Sequence, residues 1–173
     1  YLTGRQFVVA NAELHGLETV ALRYFNVAGA DPQTRMGQRT PEATHLIKVC
    51  CQAALGMRGS VSIYGTDYAT PDGTGIRDYI HIEDLAAAHL EALRYLEQDG
   101  ASLTLNVGYG TGSSVREVIN MVRQVSGVEF PAEEAPRRPG DPSMLVAKAD
   151  KIREMLKWQP RYADLRTIVT DAW

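Results

Sequence analysis

Residues 64–85 have the sequence YGTDYATPDGTGIRDYIHIEDL, and this stretch decides how the chain is organised. A short apolar strand, residues 61–64, leads into it, and the run from 82 to 96 has the apolar period of a helix. The glycines and the proline between them fix turns and allow positive φ angles. A long loop inside a compact domain is typically functional or disordered, and the tyrosines here favour ordered contacts. The stretch therefore predicts an ordered loop that delivers Arg77 shortly before a helix.

Outward from this loop, helical and strand patterns alternate along the chain. Strand 19–25 is mostly apolar, which is typical of a strand buried on both faces. The Ser114–Glu117 spacing matches a capping box at the start of a helix. The alternation predicts the α/β class, with some antiparallel pairing among the short strands. Helices are predicted over 5–15, 43–55, 83–98, 115–126, 150–157 and 164–173, and strands over 19–25, 61–64, 103–107 and 145–147.

Length and composition exclude several classes of protein. At 173 residues the chain is one domain by length, and its net charge of -3 gives no basic field, so nucleic acid is not an expected partner. No apolar run is long enough to cross a bilayer, so no membrane partner is expected either. Cys50 and Cys51 are adjacent on a predicted helix and cannot staple the fold together. Their spacing indicates a reducing compartment, and we expect the chain in the cytoplasm.

Three arginines lie on predicted loops rather than on helix faces: Arg77, Arg137 and Arg138. The planar guanidinium group suits a phosphate, and arginines from two separate loops can clamp a diphosphate. The alternative is that they are surface arginines bonded to carboxylates, because Asp78 and Asp141 lie beside them in the sequence. Spacing alone leaves both interpretations open.

Aromatic and histidine side chains near these loops give weaker signals. Tyr64 or Tyr79 could stack on a nucleobase or bond a hydroxyl, although a tyrosine at a strand end is more often packed. His45 lies near the start of a predicted helix, where it could meet an anion or simply cap the helix. His81 and His89 lie on different elements without metal-ligand spacing, so no metal is expected.

Two further motifs imitate cofactor signatures. Residues 108–112 have the sequence GYGTG, with the spacing G-x-G-x-G, and no acidic residue ends a second strand about twenty residues further on. We interpret this motif as a tight turn and a helix cap. Tyr1 and Arg5 imitate a Tyr-x-x-x-Lys pair, but an arginine cannot act as the near-neutral partner that a lysine provides. We treat that pattern as coincidence.

Five motifs, taken together, carry a resemblance. They are LRYFNVAG at 22–29, THLI at 44–47, the 64–85 stretch, LNVG at 105–108 and PRRPGD at 136–141. In this order and spacing they closely resemble the UDP-glucose 4-epimerases, a family of extended short-chain dehydrogenase/reductases. The resemblance covers essentially the whole chain. The combination of YGTDY and DGTGIRDYIH with RRPGD is highly specific, whereas each motif alone is weak.

The resemblance implies a fold and an activity. The family interconverts UDP-glucose and UDP-galactose with a tightly held NAD, through proton removal from the sugar 4-hydroxyl, hydride transfer and rotation of a 4-keto sugar. This chain resembles the C-terminal, substrate-binding part of such a Rossmann-type epimerase, with the last strands of the parallel sheet and a small mixed lobe. Residues 1–173 are therefore expected to be the substrate-binding part. The dinucleotide-binding part and the catalytic Ser and Tyr-x-x-x-Lys residues are expected upstream of Tyr1, so the chain alone is expected to be inactive.

The resemblance also assigns family roles to residues of this chain. Tyr24 would lie against the nicotinamide, and Phe25 and Asn26 would border the sugar and the diphosphate. His45 and Leu46 would meet the substrate at the start of their helix. Ser62 and Tyr64 would contact the uracil. Arg77 and Arg138 would hold the diphosphate with support from Tyr79, and Asp141 would bond the ribose hydroxyls.

Leu145 occupies the position where family members carry either a bulky tyrosine or a smaller residue beside the 2-position of the sugar. We expect the leucine to leave room for N-acetylated sugars, which an assay of the full-length parent with UDP-N-acetylglucosamine would test. Two alternatives stay open. Besides the expected UDP-glucose 4-epimerase, the chain could be a catalytically inactive fragment that binds UDP-sugars, or part of an epimerase or dehydratase that acts on another UDP-sugar. Full-length members of the family usually pair as homodimers.

Overall fold

The computed structural model describes residues 3–173, so the Tyr1 of the Tyr1–Arg5 pattern lies outside the described residues. Helices and strands alternate, as predicted. The elements are α1 (Gly4–Leu14), β1 (Val20–Tyr24), β2 (Asn26–Ala28), α2 (Leu46–Ala54), β3 (Val61–Tyr64), β4 (Ile76–Arg77), β5 (Tyr79–His81), α3 (Ile82–Glu97), β6 (Leu103–Val107), β7 (Ser113–Ser114), α4 (Val115–Ser126), β8 (Ala132–Ala135), β9 (Met144–Leu145), α5 (Asp150–Leu156) and α6 (Leu165–Ala172).

The strands pair across long sequence separations. β1 is parallel to β6, β2 to β5 and β3 to β8. β4 forms the centre of a three-stranded sheet, antiparallel to β7 and parallel to β9. The predicted α/β class and the predicted antiparallel pairing are both confirmed.

The apolar core lies between the strands and two groups of helices. On one side α2, α4 and α6 pack against one another, and on the other α3 and α5 cover β1 and β6. Trp158, Ile80 and Leu105 are among the largest fully buried side chains. The predicted capping box holds the start of α4, because Ser114 Oγ accepts from the Glu117 N–H and the Glu117 carboxylate accepts from the Ser114 N–H.

The stretch that leads to Arg77 is more regular than predicted. Instead of a loop that runs directly into a helix, it contains β4 and β5, so Arg77 lies on a strand. β4 has only two residues, and it exists because Ile76 pairs with Ser114 on one side and with Met144 on the other. Both partners are distant in sequence, so local periodicity could not reveal the strand.

Burial of strand 19–25 on both faces was a wrong prediction. β1 is partly buried over Val20, Ala21 and Leu22, while Arg23 and Tyr24 are exposed. Among residues 3–173 its single strand neighbour is β6, so its second edge is unpaired. Two other strands, β2 and β8, were missed because they are short and, in β8, carry two glutamates.

Both cysteines lie on α2 and are buried, free thiols. Burial raises the pKa of Cys50 to about 12 and that of Cys51 to about 11, so both stay protonated at neutral pH. None of the helices within residues 3–173 has the length and apolar character needed to cross a bilayer.

Candidate functional site

A cavity of about 450 Å³ opens between β2, β3, β4 and the start of α2. Of the twelve residues to which the family resemblance assigns a place in the site, all except Leu145 line it. These residues are Tyr24, Phe25, Asn26, His45, Leu46, Ser62, Tyr64, Arg77, Tyr79, Arg138 and Asp141. The structure therefore brings side chains from separate parts of the chain, from residue 24 to residue 141, to one cavity.

Arg77 is built into the sheet at one wall of this cavity. Its Nη1 donates to the backbone oxygen of Ile76 at 2.8 Å, and its Nη2 donates to Asp141 Oδ1 at 2.5 Å. The side chain is 13% exposed. Gly75 gives this group room, because a Cβ there would lie 3.2 Å from Arg77 Nη1, closer than an ordinary contact. A glycine directly before the strand thus leaves space for the guanidinium group.

Arg138 lines the same cavity and lies against an aromatic ring. Its guanidinium carbon lies 3.8 Å from the centroid of Tyr64, a cation–π distance. The neighbouring Arg138 guanidinium is the largest cause that lowers the pKa of the Tyr64 phenol. A turn in which the Asp141 N–H donates to the Arg138 carbonyl brings this segment back toward Arg77. Arg77 and Arg138 therefore share one cavity.

Two of the three loop arginines are bound to carboxylates, as the alternative expected, but of these two only Arg137 is a surface residue. Arg77 pairs with Asp141, and Arg137 pairs with Asp67. Asp78 is not such a partner, since its buried carboxylate accepts backbone N–H groups instead. Within residues 3–173, no carboxylate lies within ion-pair distance of Arg138. Pairing and a shared cavity are thus both present.

Ser62 and Tyr64 face the cavity because β3 alternates. Val61 and Ile63 are buried in the core, whereas Ser62 and Tyr64 point outward on the other face. Tyr79 lies opposite Asn26 in the β2–β5 pairing and is buried. Burial raises the pKa of the Tyr79 phenol, so it remains a hydroxyl that can donate.

His45 stands at the start of α2 without capping it. Its backbone is extended in the N-cap position, but its side chain makes no cap hydrogen bond. Instead Nδ1 lies 2.9 Å from the Gln38 amide nitrogen. The first N–H groups of α2 therefore have no side-chain cap from this residue, and His45 and Leu46 also line an adjoining cavity of about 400 Å³.

Tyr24 and Leu145 lie at the margins. Tyr24 ends β1 with its ring 55% exposed and contributes to the cavity rim. Leu145 pairs with Arg77 across β9 and β4, but its side chain is not part of the lining. Its role beside a sugar stays a prediction.

The lining also contains a cation that sequence reasoning missed. Arg58 lies in the turn between α2 and β3 and is exposed at the cavity. With it, the lining carries three guanidinium groups and one carboxylate, Asp141. This excess of positive charge suits an anionic ligand. A single arginine in a glycine-containing turn, GMRGS, gave no signal that separates it from an ordinary surface residue.

In the GYGTG loop at 108–112, backbone N–H groups bind the carboxylate of Asp78. The Asp78 carboxylate accepts from the N–H groups of Tyr109 at 3.1 Å and Gly110 at 3.0 Å, and from Ala147 at 3.1 Å. A Cβ at Gly108 would lie 2.7 Å from Asp78 Oδ2. These loop amides are therefore occupied by a buried carboxylate, as suits a structural turn rather than a phosphate-binding loop.

No cluster of potential metal ligands occurs within residues 3–173.

Comparisons with known proteins place this fold and cavity in a family. The model of the NAD dependent epimerase/dehydratase family matches residues 2–108, and the chain belongs to that family. More particularly, a relative from Azospirillum brasilense named UDP-glucose 4-epimerase is 61% identical over 158 residues, covering 91% of this chain and 45% of that protein. The chain spans about half the length of the curated relatives that it matches.

Solved structures agree in shape. A UDP-glucose 4-epimerase from Brucella ovis in complex with NAD superposes with a TM-score of 0.93 at 41% identity, covering 97% of this chain and 52% of that one. The UDP-Glc/GlcNAc 4-epimerase from Campylobacter jejuni gives a TM-score of 0.80 at 50% identity, covering 96% of this chain and 51% of that one.

Proposed function

We propose that this chain is the UDP-sugar-binding part of a UDP-glucose 4-epimerase, an enzyme that interconverts UDP-glucose and UDP-galactose. The observation that carries the proposal is the cavity in which Arg77 and Arg138, from a strand and a distant loop, face a common space. Two guanidinium groups suit the two charged phosphates of a nucleoside diphosphate. The relatives that share this fold are named for the same activity.

The nucleotide half of the ligand is assigned to the charged end of the cavity. Arg77 and Arg138 bind the diphosphate there, and the Tyr79 hydroxyl supports them. One carboxylate oxygen of Asp141 accepts a hydrogen bond from Arg77, and the second oxygen can accept from the ribose hydroxyls. Tyr64 offers its outer ring surface to the uracil, beside the Ser62 hydroxyl.

The sugar is assigned to the less charged end. Phe25 and Asn26 contribute a ring and an amide, and His45 and Leu46 border the same space at the start of α2. Strong ionic contacts at the nucleotide and weaker contacts at the hexose suit this reaction, because the 4-keto sugar must present both faces in turn. Binding and orientation are thus the contribution of these residues.

NAD fits this chain through Tyr24. Its ring, exposed at the end of β1 and bordering the cavity, is a flat apolar surface of the kind that packs against a nicotinamide. When bound, NAD supplies a hydride acceptor and donor. The GYGTG loop does not fit a dinucleotide, since Asp78 already occupies its amides. We propose that the remaining cofactor contacts and the catalytic serine, tyrosine and lysine lie outside residues 1–173.

A binding measurement tests the proposal. Isothermal titration calorimetry of the chain with UDP should give saturable binding, and uridine should bind much more weakly because it lacks both phosphates. The double variant Arg77→Ala/Arg138→Ala should abolish UDP binding. Arg94→Ala is the matched control, because Arg94 pairs with Glu91 on α3 and does not line the cavity. Equal affinities for UDP and uridine would contradict the proposal.

Cytoplasmic residence is also part of the proposal. It is supported by two buried cysteines that are free thiols. The homodimer of the full-length family stays a prediction for any longer protein that contains this chain.

A further inference from the structure

Residues 136–141, PRRPGD, form a short connection that we call the strap. It follows β8, which pairs with β3, and the Gly65 N–H extends that pairing by donating to the Ala135 carbonyl at 2.8 Å. The two consecutive arginines of the strap then take different directions. Arg138 lies over Tyr64 and lines the cavity, whereas Arg137 binds residues of the 65–75 loop and does not line the cavity.

Arg137 has an unusually complete set of contacts for an exposed arginine. Its Nε donates to Asp67 Oδ1 at 2.6 Å, and its Nη2 donates to the backbone oxygen of Asp67 at 2.5 Å. The guanidinium carbon also lies 4.2 Å from the centroid of the Tyr68 ring. Two directed hydrogen bonds and a stacked ring fix both the position and the plane of this group.

Gly65 allows this close approach. Its φ is +84°, and a Cβ there would lie 2.7 Å from Arg137 Cγ and 2.6 Å from Tyr68 Cε2. A side chain at this position would displace both residues. The stem of Arg137 therefore lies directly against the backbone that ends β3 and carries Tyr64.

The other end of the strap is fixed as well. Asp141 pairs with Arg77, and the Asp141 N–H donates to the Arg138 carbonyl at 3.2 Å. Arg138 thus lies between two anchors of the strap: Arg137, which binds Asp67 in the 65–75 loop, and Asp141, which binds Arg77 on β4. Within residues 3–173, the one group that contacts the guanidinium of Arg138 is the Tyr64 ring.

We propose that the Asp67–Arg137 pair is a latch that positions Arg138 for the diphosphate. For its ligand, this inference rests on the proposed function. A free arginine side chain samples many rotamers, and ordering it on binding costs affinity. The latch removes part of that cost in advance, because it fixes the backbone from which the Arg138 side chain reaches over Tyr64. Asp67 and Arg137 are positioning residues and do not themselves touch the ligand.

An ion pair that only stabilised the fold would affect thermal unfolding and not ligand affinity. The side chains of Arg137 and Asp67 are 46% and 75% exposed, and such pairs contribute little to folding. Loss of the latch should therefore leave the midpoint of thermal unfolding nearly unchanged and act on ligand affinity through Arg138.

Calorimetry with UDP separates the two roles. Asp67→Asn and Arg137→Ala should each weaken UDP binding about 5-fold. Combined with Arg138→Ala, neither should weaken binding further, because the residue that they position is gone. Glu91→Gln, which breaks the exposed Glu91–Arg94 pair on α3, is the matched control and should have no effect. Equal losses with and without Arg138, or no loss at all, would overturn the latch.

A second measurement needs no ligand. Arg138 is the largest cause that lowers the pKa of the Tyr64 phenol, and Ser62 and Arg58 lower it as well. A spectroscopic titration, with Tyr64→Phe to identify the signal, should show this pKa rising in Arg138→Ala and rising partway in Asp67→Asn. An unchanged Tyr64 pKa in Asp67→Asn would refute the latch even if Asp67→Asn also reduced stability. Absence of UDP binding by the wild-type chain would instead refute the proposed function, and the titration would still decide about the latch.

Discussion

Arg77 and Arg138 line the same cavity, yet the fold holds them in opposite ways. Arg77 lies on the central strand of a three-stranded sheet, is mostly buried, and bonds its own strand as well as Asp141. Arg138 lies on the exposed strap and contacts a single ring, that of Tyr64. One wall of the site is therefore part of the architecture, whereas the other depends on surface contacts of a loop.

This difference predicts which properties change together. A substitution at the Arg77 wall disturbs strand pairing and ligand binding at once, because the same residues serve both. Substitution of Arg138 on the strap breaks no recorded contact with a core element and should act on binding alone. The following changes test this contrast.

The largest effect is expected at Asp78, which supports the Arg77 wall from behind. Its buried carboxylate accepts three backbone N–H groups, those of Tyr109, Gly110 and Ala147. Asp78→Ala leaves these donors unpaired and should lower the free energy of unfolding by about 4 kcal/mol, measured by urea denaturation. Asp164→Ala removes an exposed helix cap and should cost about 1 kcal/mol. Similar losses for both variants would show that Asp78 is not a support of this wall.

Arg77→Ala should reduce UDP affinity about 30-fold, corresponding to about 2 kcal/mol for a lost charged contact. It should also lower the unfolding midpoint, since Asp141 and the carbonyl of Ile76 lose their partner. Arg77→Lys keeps the charge without the planar fork and should recover only part of the affinity. Calorimetry and thermal unfolding on the same samples check both effects. A loss of affinity with unchanged stability would remove the distinction between the two walls.

Arg138→Ala should weaken UDP binding about 10-fold, corresponding to about 1.4 kcal/mol. The unfolding midpoint should stay within error of the wild type, because the strap is exposed and Arg138 has no partner in the core. The same two measurements apply. A clear drop in stability would mean that the strap supports the fold as well as the ligand.

Sequence patterns predicted the long elements well and the short ones poorly. α3, α4, β3 and β6 were found within a residue or two, because each contains enough residues to show its period. β4, β7 and β9 have two residues each and exist only through pairing with one another. Arg77 was therefore assigned to a loop, although its strand is what makes it rigid.

The site could be predicted further than the fold around it, since its residues fall in motifs that resemble a known family. The 64–85 stretch and PRRPGD together supplied both arginines before any geometry was known. What could not be predicted is contact between residues distant in the chain, such as Asp67 and Arg137, which are 70 positions apart. Nothing in the local sequence of Asp67 or Arg137 indicates that the two residues form an ion pair. Their contact is therefore evident only from the three-dimensional structure.

The smallest effect on UDP affinity is expected at Arg58, the arginine of the cavity that lies outside the recognised sequence motifs. It is exposed at the cavity and faces Tyr64 from the turn between α2 and β3. Because the charge of Arg58 acts through solvent, Arg58→Ala should weaken UDP binding about 3-fold at low ionic strength. The difference in affinity between this variant and the wild type should vanish near 1 M salt, where the Debye screening length is about 3 Å. Arg138→Ala should keep most of its loss in salt, because a direct contact is screened less. If both variants lose their effect equally, Arg138 acts as a general positive charge and not as a positioned partner of the diphosphate.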